Sequence, residues 1–102
     1  MDKNHTEQAK IFKAFCDENR LIILEMLKNG ELCACHLLED LSISQSTLSH
    51  HMAVLCEAEI VSARKDGKWT YYSIDTEGSK MAVKLLKQIT NRNRHYPADA
   101  CD

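Results

Sequence analysis

Three residues, Ser42-Ile43-Ser44, stand between two short stretches of helical apolar spacing, and this interruption constrains the fold more than any other feature of the chain. Ahead of it, residues 31–41 read as a short helix, Glu31-Leu32-Cys33-Ala34-Cys35-His36-Leu37-Leu38-Glu39-Asp40-Leu41. Behind it, Gln45 to about Glu57 carries Leu48, Met52 and Leu55 at spacings of four and three, with Ser44 placed as the N-cap. Two short helices about so tight a turn are a helix-turn-helix candidate.

The flanks extend the pattern. Ile11, Phe12 and Phe15 predict a first helix over roughly 6–16. Asp17 can cap a second, whose apolar stripe runs Leu21, Leu24 and Leu27 and which Asn29-Gly30 stops, since Gly accepts the left-handed conformation. After Ile60 the period shortens. Val61–Lys65, Asp66-Gly67 and Lys68–Ser73 read as a β-hairpin, with Asp-Gly suiting a two-residue turn. That turn would set Lys65 opposite Lys68 and Arg64 opposite Trp69. Asp75 can cap a last helix with Ala82, Leu85, Leu86 and Ile89 on one face. The predicted architecture is mainly α with a small β-hairpin, a winged helix-turn-helix of order α-α-α-α-β-β-α over residues 1–90. A flexible tail over 91–102, carrying Pro97, is expected to follow. A domain this small cannot easily cover both outer helices, so the terminal helices predict a homodimer seam. Closure of the monomer's own core by those stripes is the plainer alternative.

Charge narrows the function. Thirteen basic against fifteen acidic residues leave a net of −2, which excludes nucleic-acid binding by a uniformly basic surface. Residues 44–74 balance three basic against three acidic groups, so DNA contact must come from local geometry and be of moderate strength. The longest aliphatic run, Leu21-Ile22-Ile23-Leu24, is far short of the ~20 residues of a membrane helix. With no apolar stretch after Met1-Asp2-Lys3, a cytoplasmic protein without membrane contact is expected. Five cysteines, an odd number, then suggest free thiols, metal ligands or redox sensors rather than a disulfide scaffold.

Four segments resemble the ArsR/SmtB family of metal-sensing bacterial repressors. They are Phe12–Leu21, Glu31-Leu32-Cys33-Ala34-Cys35-His36-Leu37, Leu41–Met52 and Leu55–Val61. The run Leu41-Ser42-Ile43-Ser44-Gln45-Ser46-Thr47-Leu48-Ser49-His50-His51 resembles the family's recognition helix, and Glu31-Leu32-Cys33-Ala34-Cys35 its arsenic-sensing branch. With the hairpin, the resemblance covers roughly 8–90. It implies a homodimer that represses a resistance operon and leaves double-stranded operator DNA when arsenite or antimonite binds, with no organic cofactor.

On that reading Gln45, Ser46, Thr47, Ser49 and His50 meet base edges and phosphates from the first turns of the recognition helix. Only one of the adjacent His50 and His51 can share that face. Arg64, Lys65 and Lys68 gather at the hairpin tip. Short polar side chains also cap helices, and charged turns are ordinarily solvated, so the resemblance decides for DNA. Ser46 stands where the family often has Pro.

Cys33 and Cys35 lie about 200° apart on a regular helix and cannot share an ion there. They can if Cys33 sits at the helix entrance or if binding unwinds the first turn, which would distort the support of the recognition helix. Small buried cysteines that merely pack are the plainer reading. Arsenite and antimonite favour three thiolates, and Leu38 stands where one version of the family pattern has another Cys. Cys101 on the tail is the expected third ligand, with Cys16 and Cys56 read as structural alternatives, and a two-thiolate site completed by a small thiol or water stays open. Zinc or cadmium sensing fits the resemblance less well. The family's cadmium sensors add cysteines from an N-terminal arm, where no Cys precedes Cys16, and its zinc sensors place His and acidic ligands along the last helix, where residues 75–94 contain no His. His5 and His36 could join Cys33 or Cys35 in a mixed zinc site. A thiol redox sensor is a second alternative, although a Cys-x-Cys disulfide would be strained. An arsenate-reductase-like thiol enzyme is the third, and it lacks both Cys-x-x-Cys and a phosphate-binding loop; the expectation is a protein that is not an enzyme.

Overall fold

The computed structural model describes residues 4–92. The order is α1 (Asn4–Lys13), α2 (Glu18–Leu27), β1 (Leu32–Cys33), α3 (Ala34–Asp40), α4 (Gln45–Glu57), β2 (Val61–Asp66), β3 (Trp69–Ile74) and α5 (Thr76–Ile89). The helix-turn-helix is α3–α4, and the winged-helix architecture follows. The N-caps act as their residue types require. Asp17 accepts from the Asn19 amide at 2.8 Å, Ser44 from Thr47 at 3.1 Å and Asp75 from Gly78 at 3.0 Å. α1 ends at Lys13, short of the 6–16 span that its apolar spacing predicts, and Phe15 packs from the turn that follows.

Two corrections come from strand pairing. The segment 31–41 is not helical throughout: Leu32 and Cys33 pair with Tyr72 and Tyr71 to make a third strand, in the order β1-β3-β2. A two-residue strand has no periodicity of its own; only β3 makes it one. The hairpin is also slipped by one residue. Asp66 faces Trp69, Lys65 faces Thr70 and Arg64 faces Tyr71, so the loop is Gly67-Lys68. Gly67 sits at φ 64°, and Lys68 is not at positive φ, the pattern of a two-residue loop that needs Gly first. A slip of one residue changes every cross-strand neighbour.

The core lies between the helices and the inner sheet face. Ile23, Leu37, Leu55 and Met52 are fully enclosed, with Leu27, Leu41, Leu48, Ile60 and Val61 around them. α4 closes with a residue in the left-handed region, Glu59 at φ 62°. The Ile60 amide donates to Leu55 O at 3.0 Å and the Glu59 amide to Cys56 O at 2.9 Å. That turn swings the chain into the wing. Gly78 in α5 abuts the Glu59 carbonyl so closely that a Cβ would overlap it.

Only Ala82 of α5 is buried, while Met81, Val83, Leu86 and Ile89 are at least half exposed. By helical spacing Met81, Leu85, Leu86 and Ile89 lie on one face of α5, with Ile11 of α1 bordering the same surface cleft as Met81 and Leu85, while Val83 points away from Met81. Among the described residues no helix is long and apolar enough to cross a membrane.

Candidate nucleic-acid interface and thiol site

The first turns of α4 divide cleanly. Leu48, His51 and Met52 point into the core, and Gln45, Ser46, Thr47, Ser49 and His50 are exposed on the opposite side. Burial of the apolar positions thus decides which polar ones face out. Ser44 organises the entrance, donating from Oγ to Thr47 Oγ1 at 2.9 Å and lying 3.2 Å from Ser46 Oγ. The N-terminus of the thirteen-residue helix adds unpaired amides, which favour phosphate.

Of the adjacent histidines, His50 is outside and His51 inside. His51 Nδ1 accepts from Arg20 Nη1 at 2.8 Å, and its Nε2 lies 3.8 Å from Asp17 Oδ1. Arg20 also donates from Nε to Ala14 O and from Nη2 to Lys13 O, both at 3.0 Å. One buried cation thereby ties the end of α1 and the start of α2 to the reading helix.

On the wing, Lys65 and Lys68 make no ion pair among the described residues, whereas Arg64 is engaged. Its Nε and Nη2 donate to the two Glu31 carboxylate oxygens at 3.0 and 2.8 Å. Its guanidinium lies 4.6 Å from the Tyr71 ring centre. The hydrogen bond from Arg64 holds the Glu31 carboxyl below the usual range, and the same bond raises Arg64. Arg64 also lies 3.9 Å from Asp66 beside the turn, so it differs from the two lysines in being paired rather than in lying away from the tip. Trp69, which the sequence reading passed over, is 46% exposed with Lys68 Nζ 5.3 Å from its ring centre. It borders one cleft together with Gln45, Ser49, Lys68 and Cys35. Trp69 is the chain's one tryptophan and stands next to the turn, exposed where Tyr71 and Tyr72 of the same strand are half-buried. Its place beside the basic turn is the signal that could have drawn attention to it.

The thiols meet at the entrance of α3. Cys33 is its N-cap, extended at φ −70° and ψ 146°, so the helical angle that separates the two residues does not apply. Its sulfur accepts from the Cys35 amide at 3.3 Å and lies 2.6 Å from the Cys35 sulfur. The hydrogen bond from Cys35, joined by backbone amides, lowers the Cys33 thiol, and the same bond raises Cys35. The amide that caps at Cys33 makes its sulfur the better acceptor of the two. Such soft sulfur donors suit thiophilic ions.

Among the described residues no three His, Cys, Asp or Glu side chains come together as metal ligands. Cys16, His5, His36 and Cys56 thus do not complete a site with the pair within one chain. His36 instead lies 3.6 Å from Asp40, and Cys16 donates to Phe12 O. Cys56 is half-buried, its thiol pushed up by that burial. Cys101 lies outside the described residues.

Residues 17–63, which hold the whole helix-turn-helix and the thiol pair, match the family described as bacterial regulatory protein, arsR family. An arsenical resistance operon repressor of Staphylococcus aureus is 47% identical over 89% of this chain and 88% of its own. The chain belongs to the ArsR family. A further relative, an uncharacterised helix-turn-helix-type transcriptional regulator of Methanocaldococcus jannaschii, is 41% identical over 85% of this chain and 99% of its own. The crystal structure of a possible transcriptional regulator for arsenical resistance superposes with a TM-score of 0.71 at 29% identity, covering 78% of this chain and 83% of that one. The ArsR-family winged helix is accordingly the architecture of this DNA-binding transcriptional repressor.

Proposed function

We propose that this ArsR-family repressor is a homodimer that holds operator DNA with α4 and the wing and releases it when arsenite or antimonite binds Cys33 and Cys35. The observation that carries the reading is the convergence of the two sulfurs at the α3 N-cap, 2.6 Å apart, on the helix that supports α4. Gln45, Ser46, Thr47, Ser49 and His50 serve as base and phosphate contacts, Lys65 and Lys68 as backbone contacts, and Trp69 joins them at the cleft. The outward face of α5, with Ile11, is the dimer seam; a contiguous apolar surface of this kind is typical of an interface. Two dyad-related reading helices would then meet half-sites about one helical turn apart.

Two protein thiolates fit a trivalent arsenic or antimony centre, which takes a third sulfur or oxygen. Cys101 is the proposed source, on the same subunit or across the dimer, and a small cellular thiol or water is its substitute. The inducer supplies bonds to sulfur, and the chain supplies the rest. Cys33 would bind through the same sulfur that caps α3, so the position of the inducer bears directly on the first turn of that helix.

The test is fluorescence anisotropy of a labelled duplex from upstream of the protein's own gene, under reducing conditions, with arsenite titrated in. Binding followed by stoichiometric release is the expected result. Binding that ignores arsenite but responds to cadmium, zinc or an oxidant keeps the repressor and replaces the inducer. The close approach of the sulfurs favours the oxidant among those replacements. No DNA binding overturns the reading.

A further inference from the structure

We propose that the thiol pair controls the wing directly through β1, with the Glu31–Arg64 ion pair as the tie, in addition to acting on α4 through α3. This rests on the reading of Cys33 and Cys35 as the inducer site. Three observations support it independently of one another. First, Cys33 is both the α3 cap and a strand residue: it pairs with Tyr71, and Tyr71 pairs in turn with Arg64. The capping thiol and the wing arginine are thus two ends of one rung across the sheet. Paired residues share a face, so Cys33, Tyr71 and Arg64 lie side by side. Second, Arg64 spans that rung from the far strand, with both carboxylate oxygens of Glu31 accepting from it at 2.8 and 3.0 Å and Tyr71 beneath it at 4.6 Å. Glu31 is two residues before Cys33. Third, β2 is exposed from Ser62 to its end. Apart from its pairing with β3 and the Ser62 hydrogen bond to Asp75 at its base, the Glu31–Arg64 pair is the contact that links its outer half to the segment before Cys33.

The consequence is mechanical. With β1 only two residues long, movement of Cys33 on binding cannot be absorbed along the strand. It reaches the Tyr71 rung and the Glu31 carboxylate at once. DNA binding requires the wing and α4 to sit on the duplex together, so tilting the wing lowers affinity even where α4 stays folded. Two independent ways of disturbing the interface then follow from one event at Cys33. Glu31 acts as a positioning residue with no DNA contact of its own.

The sign of one substitution separates this from plain electrostatics. Glu31→Gln removes a negative charge near DNA and frees Arg64, changes that by themselves raise affinity for a polyanion. The tie predicts the reverse, a loss of about 5-fold in operator affinity, the low end of ordinary coupling strengths. An affinity unchanged or raised in Glu31→Gln overturns the proposal.

A second measurement needs no DNA. Hydrogen exchange of the full chain is followed with and without arsenite. In the wild type, arsenite is expected to speed exchange of the β2 and β3 amides by ~5-fold or more. In Glu31→Gln that increment shrinks although arsenite–thiolate absorption titrates as before. Wing exchange that ignores arsenite in the wild type, whether or not arsenite binds, overturns the proposal. Altered exchange without release from DNA leaves the coupling standing and overturns the repressor–inducer reading of the preceding subsection.

Discussion

Arg20 Nη1 donates a 2.8 Å hydrogen bond to His51 Nδ1 in the buried space between α2 and the reading helix α4. The donor fixes the acceptor: His51 meets Arg20 through an unprotonated Nδ1. Since Arg20 also holds the two carbonyls at the end of α1, the bond sets the angle of α4 relative to α1, which brings Ile11 to the proposed seam.

Replacing His51 by Leu leaves the Arg20 Nη1 group without its acceptor in a buried setting. The expected cost is about 1–3 kcal/mol, read as a lower urea midpoint with an unchanged slope. An unaltered midpoint would show that water replaces the imidazole at no cost.

Gly78 and Glu59 make a paired test of backbone fit. Gly78→Ala drives a methyl into the Glu59 carbonyl, backbone that cannot swing aside, and should destabilise by about 3 kcal/mol. Glu59→Gly relieves the left-handed φ of 62° and should stabilise by about 1 kcal/mol. Thermal denaturation of both variants checks the signs, and a stable Gly78→Ala protein would mean the α4–β2 turn is not tightly seated on α5.

Cys33 should react before Cys35. The Cys35 hydrogen bond lowers the first thiol and raises the second, so Cys33 is the one that ionises first. Limiting iodoacetamide followed by peptide mass spectrometry should find the label on Cys33, and Cys35→Ala should slow that labelling by removing the donor. Preferential labelling of Cys35 would reverse the assignment. Cys33→Ser and Cys35→Ser should each retain operator binding and lose release by arsenite, followed by the same anisotropy titration.

The reading face predicts two kinds of DNA variant. Lys68→Ala should weaken binding across all sequences and reduce the slope of log K against log salt by about 1, as loss of one phosphate contact does. Ser49→Glu should abolish operator binding while the circular dichroism of the folded protein persists. Retained tight binding by Ser49→Glu would mean that another element docks.

The α5 face predicts the assembly. Leu86, 50% exposed beside Met81 and Ile89, should be buried in the dimer, so Leu86→Glu is expected to sediment as a folded monomer with weakened operator affinity. A wild-type chain that is already monomeric at micromolar concentration would remove the seam.

Much of this was written locally. Asp17, Ser44 and Asp75 announce their helices because a cap needs only a short polar acceptor within three residues of a free amide. The spacing of Leu48, Met52 and Leu55 foretells which side of α4 is buried, and therefore which polar residues remain to meet DNA. The Cys-x-Cys spacing marks the thiols, and the alternative that Cys33 stands at the helix entrance is the one found.

Tertiary structure decided everything that depended on partners far along the chain. Leu32-Cys33 is a strand only because Tyr71 and Tyr72 lie beside it, and that pairing holds Cys33 out of the helix and brings its sulfur to Cys35. The hairpin register, one residue away from the Asp66-Gly67 reading, was set by which backbone position tolerates positive φ within the completed sheet. The phase of Leu48 and Met52 turns His51 inward, but its partner there, Arg20, stands 31 positions earlier, and the partner of Arg64, Glu31, stands 33 positions away. Caps and helical periods are contacts between near neighbours and are legible in a string; cross-strand pairs and buried ion contacts join residues whose separation no local pattern records.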